Sequence, residues 1–227
     1  MTFPTLSYLQ FLWHSKNEHA VHSPFVFSLL TKCFYDRKPK PAYSFLNASL
    51  GENEKLRFNS LLSQKNGQFL YRLHSYFESK QTLVSEATDT LAILALATSS
   101  ATNKIKVIAA TPSATLQEIV AAESELDFTA TSLEEAIPAS GNELFDFIYF
   151  DNYSDSKKLL EDYITAQPSI TNDSVWVFNN LHQNKDKKET WEAIKQRAEV
   201  SVTVDTYHFQ LVFFRREQPK EHFIIRQ

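Results

Sequence analysis

The sequence predicts an α/β protein. It would have a mostly parallel sheet with helices on both faces, an antiparallel hairpin on one edge and a helical region in front. Three observations predict it. From residue 81 onward, short apolar runs alternate with helical stretches, the pattern of a parallel sheet. Two late runs, "VSVTVDTY" and "FQLVFFRR", follow each other with no helix between them, which makes a hairpin. Before residue 80 the apolar residues recur at helical spacing instead. The expected organisation is a helical region over 1–80, acting as a lid or dimerisation unit, and an α/β domain over 81–227.

The elements follow in order. "TLSYLQFLWHS" places Leu6, Leu9, Phe11, Leu12 and Trp13 on one broad helical face. "SPFVFSLLTKCFYD" opens with Ser23 as a cap and Pro24 at the first helical position, where its missing N–H costs nothing. Two prolines in "DRKPKPAY" break that helix. "NEKLRFNSLLSQ" and "GQFLYRLHSYFES" read as two more helices or one interrupted one. Then come the strand "TLVSEA", a helix over Thr90–Ser99, the strand "KIKVIAA", a helix entered near Pro112 and the weak strand "LDFTAT". "FDFIYFD" and "DSVWVFNN" are the clearest buried strands. The first is followed by a helix capped by Ser154 or Asp155, the second by a charged amphipathic helix. "HFIIR" adds a possible tail strand.

Composition narrows the function. With 227 residues, 43% hydrophobic and 22% charged, the chain is globular and long enough for one α/β domain with an appendage. A net charge of −4 gives no reason to expect nucleic acid as partner. No apolar run reaches the length of a membrane span, and the N-terminus lacks the pattern of a signal peptide. The single cysteine, Cys33, excludes an internal disulfide framework, so a cytoplasmic location is expected. The three glycines, Gly51, Gly67 and Gly141, are the outlier, since average usage would give about sixteen. Loops that need positive φ or close approach to a ligand are therefore scarce.

In an open α/β sheet, ligands lie outside the carboxyl ends of the strands. Those ends carry Ser85, Glu86, Ala87, Thr88 and Asp89, then Ala109, Ala110, Thr111 and Pro112, then Asp151, Asn152 and Tyr153, and finally Asn179, Asn180, Leu181 and His182. Each has a structural reading beside a functional one. Asp151 either caps the next helix or serves as a ligand. Glu86 and Asp89 suit a turn and a cap, and Asn179 and Asn180 suit a turn.

The stretches "NEHAVHSPFVFSLLTKCFYD", "FDFIYFDNYS", "NDSVWVFNNLH" and "VTVDTYHFQLVFFRREQPKEHFIIR", with the alternating middle, resemble a bacterial branch of class I S-adenosylmethionine-dependent methyltransferases related to the O-methyltransferases. The resemblance spans nearly the whole chain and implies a Rossmann-like, seven-stranded fold. It also exposes departures. The family ends its first strand with E-x-G-x-x-x-G, and here Ser85 stands at the acid while Ala87 and Leu91 stand at the glycines. The acid that receives the ribose hydroxyls at the end of the second strand is replaced by alanine, Ala109 or Ala110. Ser85, Glu86, Ala87, Asp89 and Ala110 are thus cofactor-pocket positions that look degenerate. Asp151 is kept and His182 matches the family's histidine, which makes this pair the catalytic candidates. Asp151, Asn179 and Asn180 are a weak metal set, one carboxylate with two amides, and no metal is expected.

Three functions remain open at this level. The preferred one is a methyltransferase-fold protein that no longer transfers methyl groups, a pseudoenzyme that binds a small molecule or a protein, with a homodimer as one form. The second is an active small-molecule methyltransferase that uses S-adenosylmethionine through an altered loop. The third is a pocket retuned to another small ligand. The expected cofactor is S-adenosylmethionine if the protein is active, and otherwise none.

Overall fold

The computed structural model describes residues 2–17, 21–52, 61–100, 103–109, 112–122, 126–129, 132–137 and 144–226. Among the described residues, four helices come first. α1 spans Phe3–His14. α2, Pro24–Leu29, starts as its sequence dictates, with Pro24 in the first turn and the Ser23 hydroxyl accepting the Val26 N–H at 3.4 Å. It runs on into a π-helical turn, Leu30–Phe34. α3 spans Pro41–Glu52, and α4 spans Gln64–Phe77 with Ser63 as its cap. α4 ends at Glu78, in the left-handed region at φ 49°. The first of the two helices expected between residues 53 and 80 falls mostly on 53–60, outside the described residues.

The sheet has eight strands: β1 Gln81–Ser85, β2 Lys104–Ile108, β3 Leu126–Thr129, β4 Phe147–Phe150, β5 Val175–Asn179, β6 Val202–Asp205, β7 Phe209–Phe213 and β8 Glu221–Ile224. Their order is β3-β2-β1-β4-β5-β7-β6-β8. β1 to β5 run parallel and β7 runs antiparallel to both β5 and β6. The expected seven strands therefore become eight, and the hairpin is not at the edge. The tail strand β8 pairs in parallel with β6, Val204 opposite Phe223, and satisfies the backbone groups that a wholly buried β6 would otherwise leave open. The helices between strands are α5 Thr90–Ala97, α6 Ala114–Ala122, α7 Leu133–Ala136, α8 Ser156–Ala166 and α9 Lys185–Lys195. Among the described residues no helix is long and apolar enough to cross a membrane.

The chain winds outward from β1 to β3 and then returns to β4 on the other side of β1. The topological switch therefore lies between β1 and β4, where Ser85 pairs with Phe150. One core, with Leu83, Ile148, Phe150, Trp176 and Phe178, lies under α8 and α9. The other, with Val84, Tyr149, Val177 and Leu211, also takes in Val26, Leu29, Phe69, Leu70 and Leu73 of the N-terminal helices. α5 lies within this second core. Its residues Thr90 to Leu96 are all buried, which a helix apolar on every side requires. Its two sides are covered by the sheet and by the N-terminal helices.

Candidate functional site

The turn from β1 into α5 is built by two aspartates. Asp89 caps α5, its Oδ1 accepting the Ala92 N–H at 3.1 Å. Its Oδ2 accepts the N–H groups of Leu61 and Leu62 at 2.6 and 2.7 Å, which ties the approach to α4 onto the same turn. Asp151, one residue past β4, reaches across the switch point. Its Oδ2 accepts the Thr88 N–H at 2.8 Å, the Thr88 hydroxyl at 3.0 Å and the Asp89 N–H at 2.8 Å. Its Oδ1 accepts the side-chain amide of Asn179 at 3.2 Å. Asp151 therefore does not cap α8; Asp155 does, accepting the Lys157 N–H at 2.8 Å. Burial, reinforced by the Asp89 charge, pushes the Asp151 carboxyl up to about 6, against the pull of the Thr88 and Asp89 N–H groups.

Ser85 is engaged on the other side of the turn. The Tyr153 hydroxyl donates to Asp162 Oδ2 at 2.6 Å, so the Ser85 hydroxyl, 2.7 Å away, donates to Tyr153. Lys158 donates to the second Asp162 oxygen at 2.6 Å and closes the chain. Glu86 is half-buried in the left-handed region at φ 52°, and burial with the nearby Asp162 charge raises its carboxyl above the usual range. A turn role for Glu86 and a cap role for Asp89 are what the geometry shows.

Ala87 and Leu91 are both 2% exposed. The Ala87 N–H donates to the Ile108 carbonyl at 2.9 Å, which draws the turn down onto β2. Leu91 packs onto Gly67 of α4. A β-carbon at Gly67 would stand 2.8 Å from Leu91 Cδ2 and 2.9 Å from Cγ. At Gly67 the need is thus close approach of two helices, not positive φ. Ala110 lies outside the described residues.

His182 belongs to a second cluster. Its Nε2 lies 2.7 Å from Asp205 Oδ2 and its Nδ1 lies 2.7 Å from the Ser7 hydroxyl of α1. Nε2 carries a proton to the Asp205 carboxylate, and Nδ1 shares the second hydrogen bond with the Ser7 hydroxyl. All three side chains are buried. Tyr207 stacks on the His182 ring at 5.0 Å and donates to the Pro4 carbonyl at 2.8 Å. These contacts bind α1 through Ser7 and Phe11, whereas Leu6, Leu9 and Trp13 of the expected apolar face point outward, Trp13 at 87% exposed. A polar anchor, not apolar periodicity, sets the rotation of α1.

No side-chain hydrogen bond joins the His182 and Asp151 clusters among the described residues. Asn180 is a left-handed turn residue at φ 60°, its N–H on the His208 carbonyl at 2.8 Å, whereas Asn179, expected in the same turn, is the last residue of β5, paired with Phe209. Among the described residues no group of three or more His, Cys, Asp or Glu side chains is arranged to hold a metal ion. Ser7, Asp205 and Asp162 went unread in the sequence: Ser7 and Asp205 meet His182 only through tertiary contact, and the i,i+4 pair Lys158–Asp162 reads as an ordinary helix-surface pair until Tyr153 joins it. Gly67 carried a signal, being one of three glycines and lying inside a helical pattern.

No family model matches the sequence, and no curated protein does. Solved structures do match in fold. The SAH-bound methyltransferase PaMTH1 of Podospora anserina is 8% identical, with a TM-score of 0.60 over 86% of this chain and 97% of its own. The O-methyltransferase TomG of Streptomyces achromogenes, involved in tomaymycin synthesis and solved with SAM, is 15% identical, with a TM-score of 0.56 over 84% and 95%. The O-methyltransferase of Bacillus cereus, in complex with SAH, is 14% identical, with a TM-score of 0.55 over 83% and 97%. This chain therefore has the Rossmann-like fold seen in these S-adenosylmethionine-dependent methyltransferases. At these identities the likeness is one of fold.

Proposed function

We propose that this protein keeps the methyltransferase fold as a non-catalytic scaffold that binds a partner and no longer uses S-adenosylmethionine. The observation that carries this reading is Leu91 seated on Gly67, which fills a place where the family pattern needs a glycine. Three further features support it. The Ser85 hydroxyl is held by Tyr153 and cannot act as the family's acid. Both Asp151 oxygens accept hydrogen bonds from the protein, four in all, and the Asp holds the turn in place. Both ring nitrogens of His182 are engaged within the protein, by Asp205 and by Ser7. These residues do not fit the cofactor, and no methyl-transfer step is derived through it.

The partner surface in this reading is the outward face of α1, where Leu6, Leu9 and Trp13 are exposed together. A second copy of the chain or another protein would cover it. Thermal unfolding with S-adenosylhomocysteine tests the reading. A ligand at about a thousand times its Kd adds roughly 4 kcal/mol and raises the melting temperature by several degrees. No shift is expected at about 1 mM, and a shift of that size overturns the scaffold reading.

A further inference from the structure

We infer that the hollow between the π-helical turn and the helices α3 and α4 is a binding site for a small phosphorylated aromatic molecule, separate from the strand-end crevice. The cavity, about 340 Å³, is of the size that holds small ligands. It is lined by the aromatic side chains of Phe34, Tyr35 and Tyr43 and by the cations Arg37, Lys65 and Arg72. A second hollow of about 570 Å³ shares Tyr35 and Arg37 and adds Lys32 and Lys38. The chain as a whole is acidic, with 27 acids against 23 Lys and Arg, so this concentration of positive charge is a local reversal.

Arg72 is held ready for an anion. Its Nε donates to the Cys33 carbonyl at 3.2 Å, one Nη donates to the Tyr43 hydroxyl at 3.0 Å, and its guanidinium lies over the Phe69 ring at 5.6 Å. Among the described residues two of its five N–H groups are engaged, which leaves three to meet an oxyanion. The single acid in the lining, Asp36, is paired with Lys40 at 2.8 Å and accepts the Lys38 N–H at 3.0 Å, so it does not cancel the field. Arg37 is exposed and makes no ion pair among the described residues. Several cations around one hollow match a phosphate dianion better than a single carboxylate. The tyrosines and Phe34 offer apolar surface for a flat ring.

Calorimetry on the full chain tests this, with adenosine monophosphate as the probe and inorganic phosphate, adenosine and benzoate as comparisons. The nucleotide is expected to bind with a Kd of about 10–100 μM, at least about tenfold tighter than each of the others. Arg37→Ala, on an exposed side chain, is expected to weaken it about fivefold while the melting temperature stays unchanged. Arg72→Lys keeps the charge, loses the fork and weakens binding further. Three results overturn the proposal. One is the absence of heat with about 5 mM nucleotide. Another is benzoate, phosphate or adenosine binding as tightly as the nucleotide. The last is Arg37→Ala binding like the parent protein, which places the ligand elsewhere.

Discussion

Leu91 Cδ2 lies 2.8 Å from the point where a β-carbon on Gly67 would stand. The two residues belong to helices on either side of the β1–α5 turn, and their contact joins the N-terminal helices to the place where a cofactor loop would sit. Gly67→Ala gains about 1 kcal/mol of helix propensity but forces a methyl group into a fully buried leucine, which costs about 1–3 kcal/mol. Net destabilisation of about 1 kcal/mol is expected in urea unfolding. In the double variant with Leu91→Ala the two costs should fall short of their sum, because the alanine leaves room for the new methyl. Strict additivity would show that the two side chains do not compete for space.

Asp151 offers a second test. It is buried and accepts three donors from the β1–α5 turn and one from Asn179. Asp151→Ala leaves those donors unpaired and is expected to cost about 2–4 kcal/mol. A loss below about 0.5 kcal/mol, the range of ordinary surface changes, would show that the turn does not depend on it.

The pH dependence of stability separates two buried groups with opposite signs. Burial holds the His74 imidazole down to about 3, beneath the usual value near 6.5. Between those values the unfolded chain takes up the proton and the folded chain does not. The His74 share of stability is therefore complete above about pH 6.5 and is lost on acidification, at about 1.4 kcal/mol per pH unit. Asp151 is raised to about 6 from 3.8, so the folded chain takes its proton first. Its contribution grows as pH falls through about 6, at about the same rate. Between about pH 6 and 4.5 the two offset each other. In Asp151→Asn only the histidine slope remains, so urea unfolding should show the variant losing stability faster than the parent, by about 1.4 kcal/mol per pH unit. Parallel profiles would contradict the assignment.

Ser7 and His182 hold α1 against the sheet. Ser7→Ala removes the partner of His182 Nδ1 and leaves a buried nitrogen unpaired, at a cost of about 1–3 kcal/mol. Much of that loss should be local. Faster hydrogen exchange is expected at the amides of α1, with the strands β4 and β5 unchanged. Uniform acceleration across the sheet would mean that α1 is part of the global folding unit.

The parts of this structure legible in the sequence are those set by local chemistry. Ser23 before Pro24 announced α2, and the apolar run "FDFIYFD" announced β4. Glu86 and Asn180 both prove to be left-handed turn residues, and Asp89 a cap. What stayed hidden depends on partners far along the chain. The apolar periodicity of α1 pointed to Leu6, Leu9, Phe11, Leu12 and Trp13 alike, but of these Phe11 is the one in the core, beside Ser7, whose partner is 175 residues away. Asp151 could be read as a cap because a helix follows it closely, yet its donors come from a turn more than sixty residues earlier. β8 was only a short tail until the unpaired edge of β6 gave it a place.

In the scaffold reading proposed above, the β1–α5 turn, with Leu91 packed on Gly67 and Asp151 holding its backbone, does not receive S-adenosylmethionine. The most direct measurement is calorimetric titration of the full chain with S-adenosylmethionine and with S-adenosylhomocysteine. No heat of binding is expected from either at concentrations up to about 1 mM, equivalent to a binding free energy weaker than about −4 kcal/mol. Saturable binding of either at about 1–10 μM would contradict the scaffold reading and show that the cofactor site is intact.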